Sequence, residues 1–471
     1  MRIFGQRSFE PAIQAGESDR MGRGGAVTVE ACPKARPRPV ADSLMEAPPE
    51  APPDNPMETR LRERVLKEID PAVAAEVPVG TLRQLIEKII HEIATEDRIE
   101  LSAREQGRIA GELANDMTGY GPLEALLTDQ QVTEIMVNGP AKVYVERAGK
   151  LERTTVRFRD HAHIATIAQK IAARVGRRID DASPMVDARL PDGSRVNVIF
   201  PPLSLDSPCI SIRKFSHRGF NLDDMVNLGS LTSGVARLLE IVARCRFNVL
   251  ISGGTGSGKT TLMNALSRWI DHGERIITIE DAAELQLQQP HVIRLETRPM
   301  SAEGSGLVTQ RDLVWNALRM RPDRIIVGEV RGLEAFDMLQ AMNTGHDGSF
   351  STLHANSARD ALTRVENMVM MGNVNLPSRA IRSQIVSALD LIVQVERMRD
   401  GVRRVTQITE VCSLEGDVVT MNDIIRFEFE QEDARGDIKG SYRSMQASPK
   451  LMQNIAFYGL EHAWNEAMRE I

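Results

Sequence analysis

The chain has 471 residues, of which 42% are hydrophobic and 26% charged, and its formal net charge is −7. That length exceeds one ordinary domain and predicts two or three folded domains with tails. The acidic total argues against a protein whose main task is coating nucleic acid, although a local basic channel fits within it, and aromatics at 4% offer little for stacking bases. No run approaches the roughly 18 apolar residues of a membrane span. The start, Met1-Arg2-Ile3-Phe4-Gly5-Gln6-Arg7, lacks the apolar stretch of a secretory leader, so a cytoplasmic location is expected. Cys32, Cys209, Cys245 and Cys412 lie far apart without a C-x-x-C spacing, which points to neither a zinc module nor a disulfide framework.

Residues 1–56 hold nine of the 23 prolines and no sustained hydrophobic period, and are expected to be a disordered tail, either a docking tether or inert. A helical bundle is expected over 57–121. Leu61, Val65, Leu66 and Ile69 mark one apolar face, Leu82, Leu85, Ile86, Ile89 and Ile90 a second, and Ile109, Leu113, Asp116 and Met117 follow a capping-box pattern at Ser102-Ala103-Arg104-Glu105. This bundle could dock a partner or pack on the next domain. A smaller mixed α/β domain is expected over 122–216. It has strands at 134–137 and 142–146, a helix at 164–175, a hairpin around Asp192-Gly193, and a strand at 210–214. Residues 217–229 read as a linker. From 230 to 471 strands alternate with helices, as a parallel sheet requires, with a polar loop at 433–440 and closing helices over 451–471.

Within that last region Gly253-Gly254-Thr255-Gly256-Ser257-Gly258-Lys259-Thr260 fits the phosphate-binding pattern G-x-x-x-x-G-K-[ST]. The apolar run 247–251 enters it and the helix-compatible run from Thr261 leaves it, which is the strand–loop–helix context the pattern needs. Lys259 is expected to reach the β- and γ-phosphates, and Thr260 to place its hydroxyl on Mg²⁺. Two further apolar strands end in carboxylates. Arg275 to Ile279 leads to Glu280, Asp281 and Glu284, candidates for the metal and water shell or else a solvated acidic loop. Arg324 to Val327 leads through Gly328 to Glu329, the candidate for polarising the attacking water. Gly345-His346-Asp347-Gly348-Ser349-Phe350-Ser351-Thr352-Leu353-His354 offers two histidines as γ-phosphate sensors, His354 being the better placed. Arg189, Arg195, Arg213 and Lys214 before the linker, and Arg319, Arg321 and Arg324 before Glu329, are either phosphate contacts or salt-bridge residues.

These four segments, in this order, resemble the secretion ATPase superfamily of type II secretion, type IV pili and type IV secretion. Gly119-Tyr120-Gly121-Pro122-Leu123, Glu134 to Gly139, Arg189 to Asn197 and Ser211 to Phe215 look most like the CpaF-type ATPases of Tad/Flp pilus assembly. The similarity covers roughly residues 60–430. It implies an α/β fold, in which a RecA-like P-loop domain follows a smaller PAS-like domain. It also implies a hexameric ring, ATP or ADP with Mg²⁺ between the two domains, and work against platform proteins at the cytoplasmic face of the inner membrane, with no stable nucleic-acid partner. By the same resemblance Glu280 belongs to an acidic box, Glu329 to an atypical Walker B segment, and His346 and His354 to a histidine box. Arg195 and Arg213 match positions that supply phosphate-contacting arginines. Type IV secretion traffic ATPases that move effectors or DNA, and RecA-like nucleic-acid motors, are the alternatives.

Overall fold

Apolar residues recurring every three to four positions make the first helices. The computed structural model describes residues 56–69, 74, 77–147, 150–215, 219–298, 300, 305–372, 376–433 and 436–471. The expected tail, apart from Pro56, lies outside the described residues. Helices α1 (Pro56–Glu68), α2 (Val79–Glu96) and α3 (Ala103–Thr118) bury Leu61, Val65, Leu82, Ile86, Ile90, Ile109 and Leu113 together. Leu66 and Leu85 were expected on those faces but are 41% and 40% exposed. Mutual packing covers a narrower stripe than the apolar run supplies. Ser102 and Glu105 form the expected capping box at the start of α3.

After α4 (Glu124–Thr128) comes a six-stranded antiparallel sheet in the order β3-β2-β1-β6-β5-β4. Its strands are β1 (Val132–Val137), β2 (Val143–Arg147), β3 (Lys150–Arg153), β4 (Met185–Arg189), β5 (Arg195–Ile199) and β6 (Cys209–Arg213). Alternate residues face inward, so Ile135, Val137, Val143, Val145, Val196, Val198, Ile210 and Ile212 meet Ile164, Ile167 and Ile171 of helix α5 (His161–Arg174). Lys170 donates to the carbonyls of Asp116 and Met117, and Arg174 to that of Thr118. Two cations of α5 thereby satisfy the open carbonyl end of α3.

The stretch read as a linker is shorter than expected. Helix α6 (Leu222–Asn227) forms inside it, with Asn221 and Asp224 as a capping box, and buries Leu222 and Met225 in the core of the next sheet. That sheet has nine strands in the order β15-β14-β13-β12-β7-β11-β10-β8-β9. Strands β7 (Val249–Gly253), β8 (Ile276–Glu280), β9 (Val292–Glu296), β10 (Arg324–Val327), β11 (Phe350–Leu353) and β12 (Leu391–Arg397) are parallel. Helices cover both faces. On one are α7 (Ser233–Arg244) and α8 (Lys259–Ser267), and on the other α9 (Gln310–Ala317), α10 (Glu334–Asn343), α11 (Ala358–Gly372) and α12 (Ser378–Ala388). Strands buried from both sides read as continuous apolar runs, as β7 and β8 do.

The parallel pattern does not continue into the 440s. Strands β13 (Arg403–Glu415), β14 (Val418–Glu432) and β15 (Ile438–Ser444) return antiparallel. The connections at 398–402 and 416–417 are too short for the crossover that a parallel return requires. The loop expected over 433–440 ends where Ile438 begins β15. Helices α13 (Pro449–Phe457) and α14 (Glu461–Arg469) close the described chain, with Trp464 and Ala467 buried in the core that α7 shares. Among the described residues no helix is long and apolar enough to cross a membrane.

Candidate nucleotide site

Parallel strands bring their carboxyl ends to one edge of the sheet, and that edge collects the candidate residues. β7 is wholly buried and hands the chain to the glycine-rich loop. Gly258, at φ 101°, turns the loop so that Lys259 begins α8, a left-handed conformation that side chains with a Cβ resist. Glu280 is the last residue of β8, Glu329 stands two residues beyond β10, and His354 follows β11 directly.

Lys259 is 8% exposed. Its Nζ donates to the carbonyls of Gly253 at 3.0 Å and Gly254 at 2.9 Å, and to Nδ1 of His354 at 3.4 Å. A lysine has no acceptor to offer, so Nδ1 must accept and the ring proton sits on Nε2. That nitrogen lies 2.9 Å from Oε1 of Glu329, close enough to attract but not aligned as a hydrogen bond. Burial and the Lys259 charge hold the imidazole below its ordinary range, against the pull of Glu329, so His354 is neutral near pH 7.

Glu329 and Glu280 differ in electrostatics. Burial raises the Glu329 carboxyl. The 2.6 Å bond from Arg331 and the charges of Arg331 and Lys259, joined by His354 only where it is protonated, outweigh it and keep the group ionised. Glu280 is 4% exposed, and burial pushes it up to about 7 despite two backbone N–H donors and Arg294. Its Oε1 accepts from the N–H groups of Glu284 and Leu285, both at 2.8 Å, while Oε2 is buried without a partner. Gly328 explains itself here. A Cβ at that position would stand 2.8 Å from Cγ of Glu280, so only glycine lets β10 pass the carboxylate.

The antiparallel sheet supplies the opposite wall. Arg189, Arg195 and Arg213 are directly paired across β4, β5 and β6 and therefore stand side by side in one row. Arg195 reaches Glu284 at 2.6 Å, Arg213 lies 3.8 Å from the same carboxylate, and Arg189 holds Glu296 at 2.5 Å and the carbonyl of Ala283. A cavity of about 250 Å³ remains between the two walls. Thr255, Gly256, Gly258, Lys259, Thr260, Thr261, Glu280, Asp281, Glu284, Glu329, His354, Arg195 and Arg213 all line it. Gly253 and Gly254 take part through their carbonyls. Ser257 is 2% exposed and its hydroxyl has no partner, so it serves the loop's interior.

Three candidates lie away from the cavity, and for Arg324 the salt-bridge alternative is the one realised. His346 lies before β11, beside the carboxyl end of α10, with Nδ1 3.2 Å from the carbonyl of Ala341. The four residues of β11 carry the chain about 13 Å to His354, so the two histidines serve opposite strand ends. Arg324 begins β10 at the far end, fully buried, paired with Glu274 and donating to the carbonyls of Ala243 and Gly348. Lys214 donates to the carbonyls of Leu126 and Asp129, within its own domain. Two charged cavity residues went unassigned in the sequence. Arg331, which clasps Glu329, sits in the same segment and could have been read from it. Arg403, whose Nε donates to the carbonyl of Gly256 at 2.9 Å, comes 147 residues after it and carries no local signal.

Five cationic side chains and a buried, unpartnered carboxylate oxygen around one cavity suit a polyphosphate with a divalent cation. Among the described residues no group of three or more His, Cys, Asp or Glu side chains has metal-holding geometry. Thr260 is a cavity-lining hydroxyl that could reach a Mg²⁺ ion held otherwise by phosphate and water, as Mg²⁺ is with nucleotide substrates.

The family model described as Type II/IV secretion system protein matches residues 116–423. The type IV secretion system protein VirB11 of Bartonella quintana (strain Toulouse) is 33% identical over 330 residues, covering 62% of this chain and 92% of its own length. The conjugal transfer protein TrbB of Rhizobium radiobacter is 35% identical over 294 residues, 62% of this chain and 86% of that protein. Among solved structures, the VirB11 ATPase of the Brucella suis type IV secretion system in complex with sulphate aligns at 31% identity. That alignment covers 61% of this chain and 94% of the other, with a TM-score of 0.33. The match over most of the chain, on the segment that carries the phosphate loop, the two carboxylate strands and His354, means that this protein belongs to the Type II/IV secretion system family and is an ATP hydrolase.

Proposed function

We propose that the chain is a Mg²⁺-dependent motor that works as a homo-hexamer at the cytoplasmic face of the inner membrane, driving Tad/Flp-type pilus assembly through platform proteins. One observation carries the motor reading. The arginine row of the antiparallel sheet meets the acidic 280–284 segment across the cavity, so whatever occupies the cavity bears on both walls. Lys259 exchanges its carbonyl partners for the β- and γ-phosphates. The hydroxyl of Thr260 would hold Mg²⁺, which when bound neutralises charge on the phosphates. Ionised Glu329 orients the attacking water and accepts its proton through Oε1, the oxygen that Arg331 leaves free. Neutral His354, touching both Lys259 and Glu329, changes partner as the γ-phosphate departs. Arg195 and Arg213 transfer from Glu284 to phosphate, which draws the antiparallel sheet toward the loop and converts occupancy into movement.

The supporting residues for the pilus reading are the stretches 119–123, 134–139, 189–197 and 211–215. A second reading, a type IV secretion traffic ATPase that moves effectors or DNA, is favoured by the likeness to VirB11 and TrbB. Disruption of the gene in its own cell separates them. Loss of surface pili with transfer intact supports the first, and loss of transfer with pili intact supports the second. Turnover measured with and without single-stranded DNA or RNA tests both against a nucleic-acid motor, since strong stimulation by nucleic acid sinks the membrane-platform reading. Lys259→Ala should abolish turnover in every case; a variant that still hydrolyses ATP refutes the site.

A further inference from the structure

We infer that Arg403 is a further nucleotide-binding residue, its guanidinium gripping the phosphate chain where ADP and ATP are alike. The inference rests on the ATPase reading of the cavity. It begins with the local fold. β12 lies parallel to β7 with Val395 opposite Gly253, so the hairpin from β12 into β13 overhangs the glycine-rich loop. That hairpin is tightly built. Met398 and Val402 close it, and Asp400 accepts from the N–H groups of Val402 and Ile438 and from Arg404 at 2.7 Å.

Alternation along β13 then sends two adjacent arginines to opposite faces. Arg404 is 8% exposed, pairs with Asp400, donates to the carbonyl of Ile438 and lies over the Phe427 ring. Its work is structural and complete. Arg403 points the other way, into the 250 Å³ cavity. Its Cδ comes within 3.3 Å of where a Cβ on Gly258 would stand, and its Nε donates to the carbonyl of Gly256.

Charge compensation separates Arg403 from its neighbours. Arg195 is paired with Glu284, Arg213 lies within 4 Å of Glu134 and Glu284, and Arg331 is paired with Glu329. Among the described residues Arg403 has no carboxylate at ion-pair distance, and one backbone carbonyl uses one of its five donors. A pre-positioned guanidinium with open donors beside a phosphate-binding loop is complementary to an anion held in that loop. Its place over Gly256 and Gly258 is the part of the loop that cradles the α- and β-phosphates, whereas Lys259 serves the β- and γ-phosphates. Arg403 should therefore bind ADP and ATP equally and stabilise ground and transition states alike.

The test compares the full-length chain with Arg403→Gln and Arg403→Lys. The readouts are ADP affinity, ATPase kinetics and thermal melting without nucleotide. Glutamine can still brace the Gly256 carbonyl but carries no charge; lysine keeps the charge. The expected result for Arg403→Gln is about a tenfold weaker ADP affinity and a matching rise in KM, with kcat within about twofold and melting unchanged. Arg403→Lys should recover part of that loss. Glutamine binding ADP like wild type, lysine doing no better than glutamine, or a loss confined to kcat or to melting overturns the inference. If the wild-type chain binds no ADP, the reading of the cavity itself has failed, a separate outcome.

Discussion

Replacing Glu280 by glutamine isolates the cost of its buried charge. The carboxyl moves from an ordinary 4.5 to about 7, chiefly because β8 delivers it to a site 4% exposed, with Arg294 and two backbone N–H groups opposing burial and Glu284 adding to it. Each tenfold change in proton affinity corresponds to about 1.4 kcal/mol, so the difference is worth about 3 kcal/mol. The sign follows from linkage. The folded value lies above the unfolded one, so the group's stabilising contribution is whole below pH about 4.5. It declines as pH rises through about 7 and stays lost above that. Glutamine keeps a carbonyl for the N–H groups of Glu284 and Leu285 and has nothing to ionise. Urea melts of the nucleotide-free chain at pH 4.5 to 8.5 should therefore show wild type losing about 3 kcal/mol more than Glu280→Gln across that window, or roughly 6–12 °C in melting temperature. Parallel pH profiles for the two proteins would refute the burial argument. So would a difference that opens only above pH 8, where Glu280 is already ionised.

Other outcomes follow from the same geometry. Glu329→Gln should bind ATP normally, since Lys259 and the loop are untouched, and lose about 10²- to 10⁴-fold in kcat; equal turnover removes Glu329 from its role. Arg195→Ala breaks a pair whose arginine is 43% exposed, so stability should change by less than about 1 kcal/mol. Turnover should fall at least about tenfold, and an unchanged kcat would leave Arg195 a mere surface partner of Glu284. Arg324→Met strands Glu274 and should cost about 3–5 kcal/mol in chemical denaturation, with ADP affinity of the folded protein unaltered. Gly328→Ala would drive a Cβ against Glu280 and should cost about 1–3 kcal/mol, with turnover reduced together with stability.

Much of the catalytic edge is legible in residue order. A phosphate loop needs a strand before it and a helix after it, and both are visible as local patterns around 253–260. The carboxylates at 280 and 329 are legible for the same reason, one ending and the other closely following a short apolar run of buried-strand character. His346 and His354 are alike in composition and local setting, and they separate only when β11 occupies the residues between them. Arg195 and Arg324 illustrate the same limit. Each is an arginine beside a strand, but one begins β5 in a paired row facing the cavity, and the other begins β10 at the end remote from it.

What the amino-acid order determined by itself was the chemistry available: glycines for a loop that turns on phosphate, a lysine and threonine after it, and carboxylates at strand ends. These depend on spacings of a few residues, where backbone geometry leaves few choices. The tertiary structure decided the partners. Strand pairing put Arg189, Arg195 and Arg213 in one row, a short hairpin brought Arg403 back over a loop 147 residues earlier, and the placing of Arg331 and Lys259 beside Glu329 separated its ionisation from that of Glu280, which burial raises. Register and desolvation are properties of the whole packed chain, and no short stretch of it encodes them.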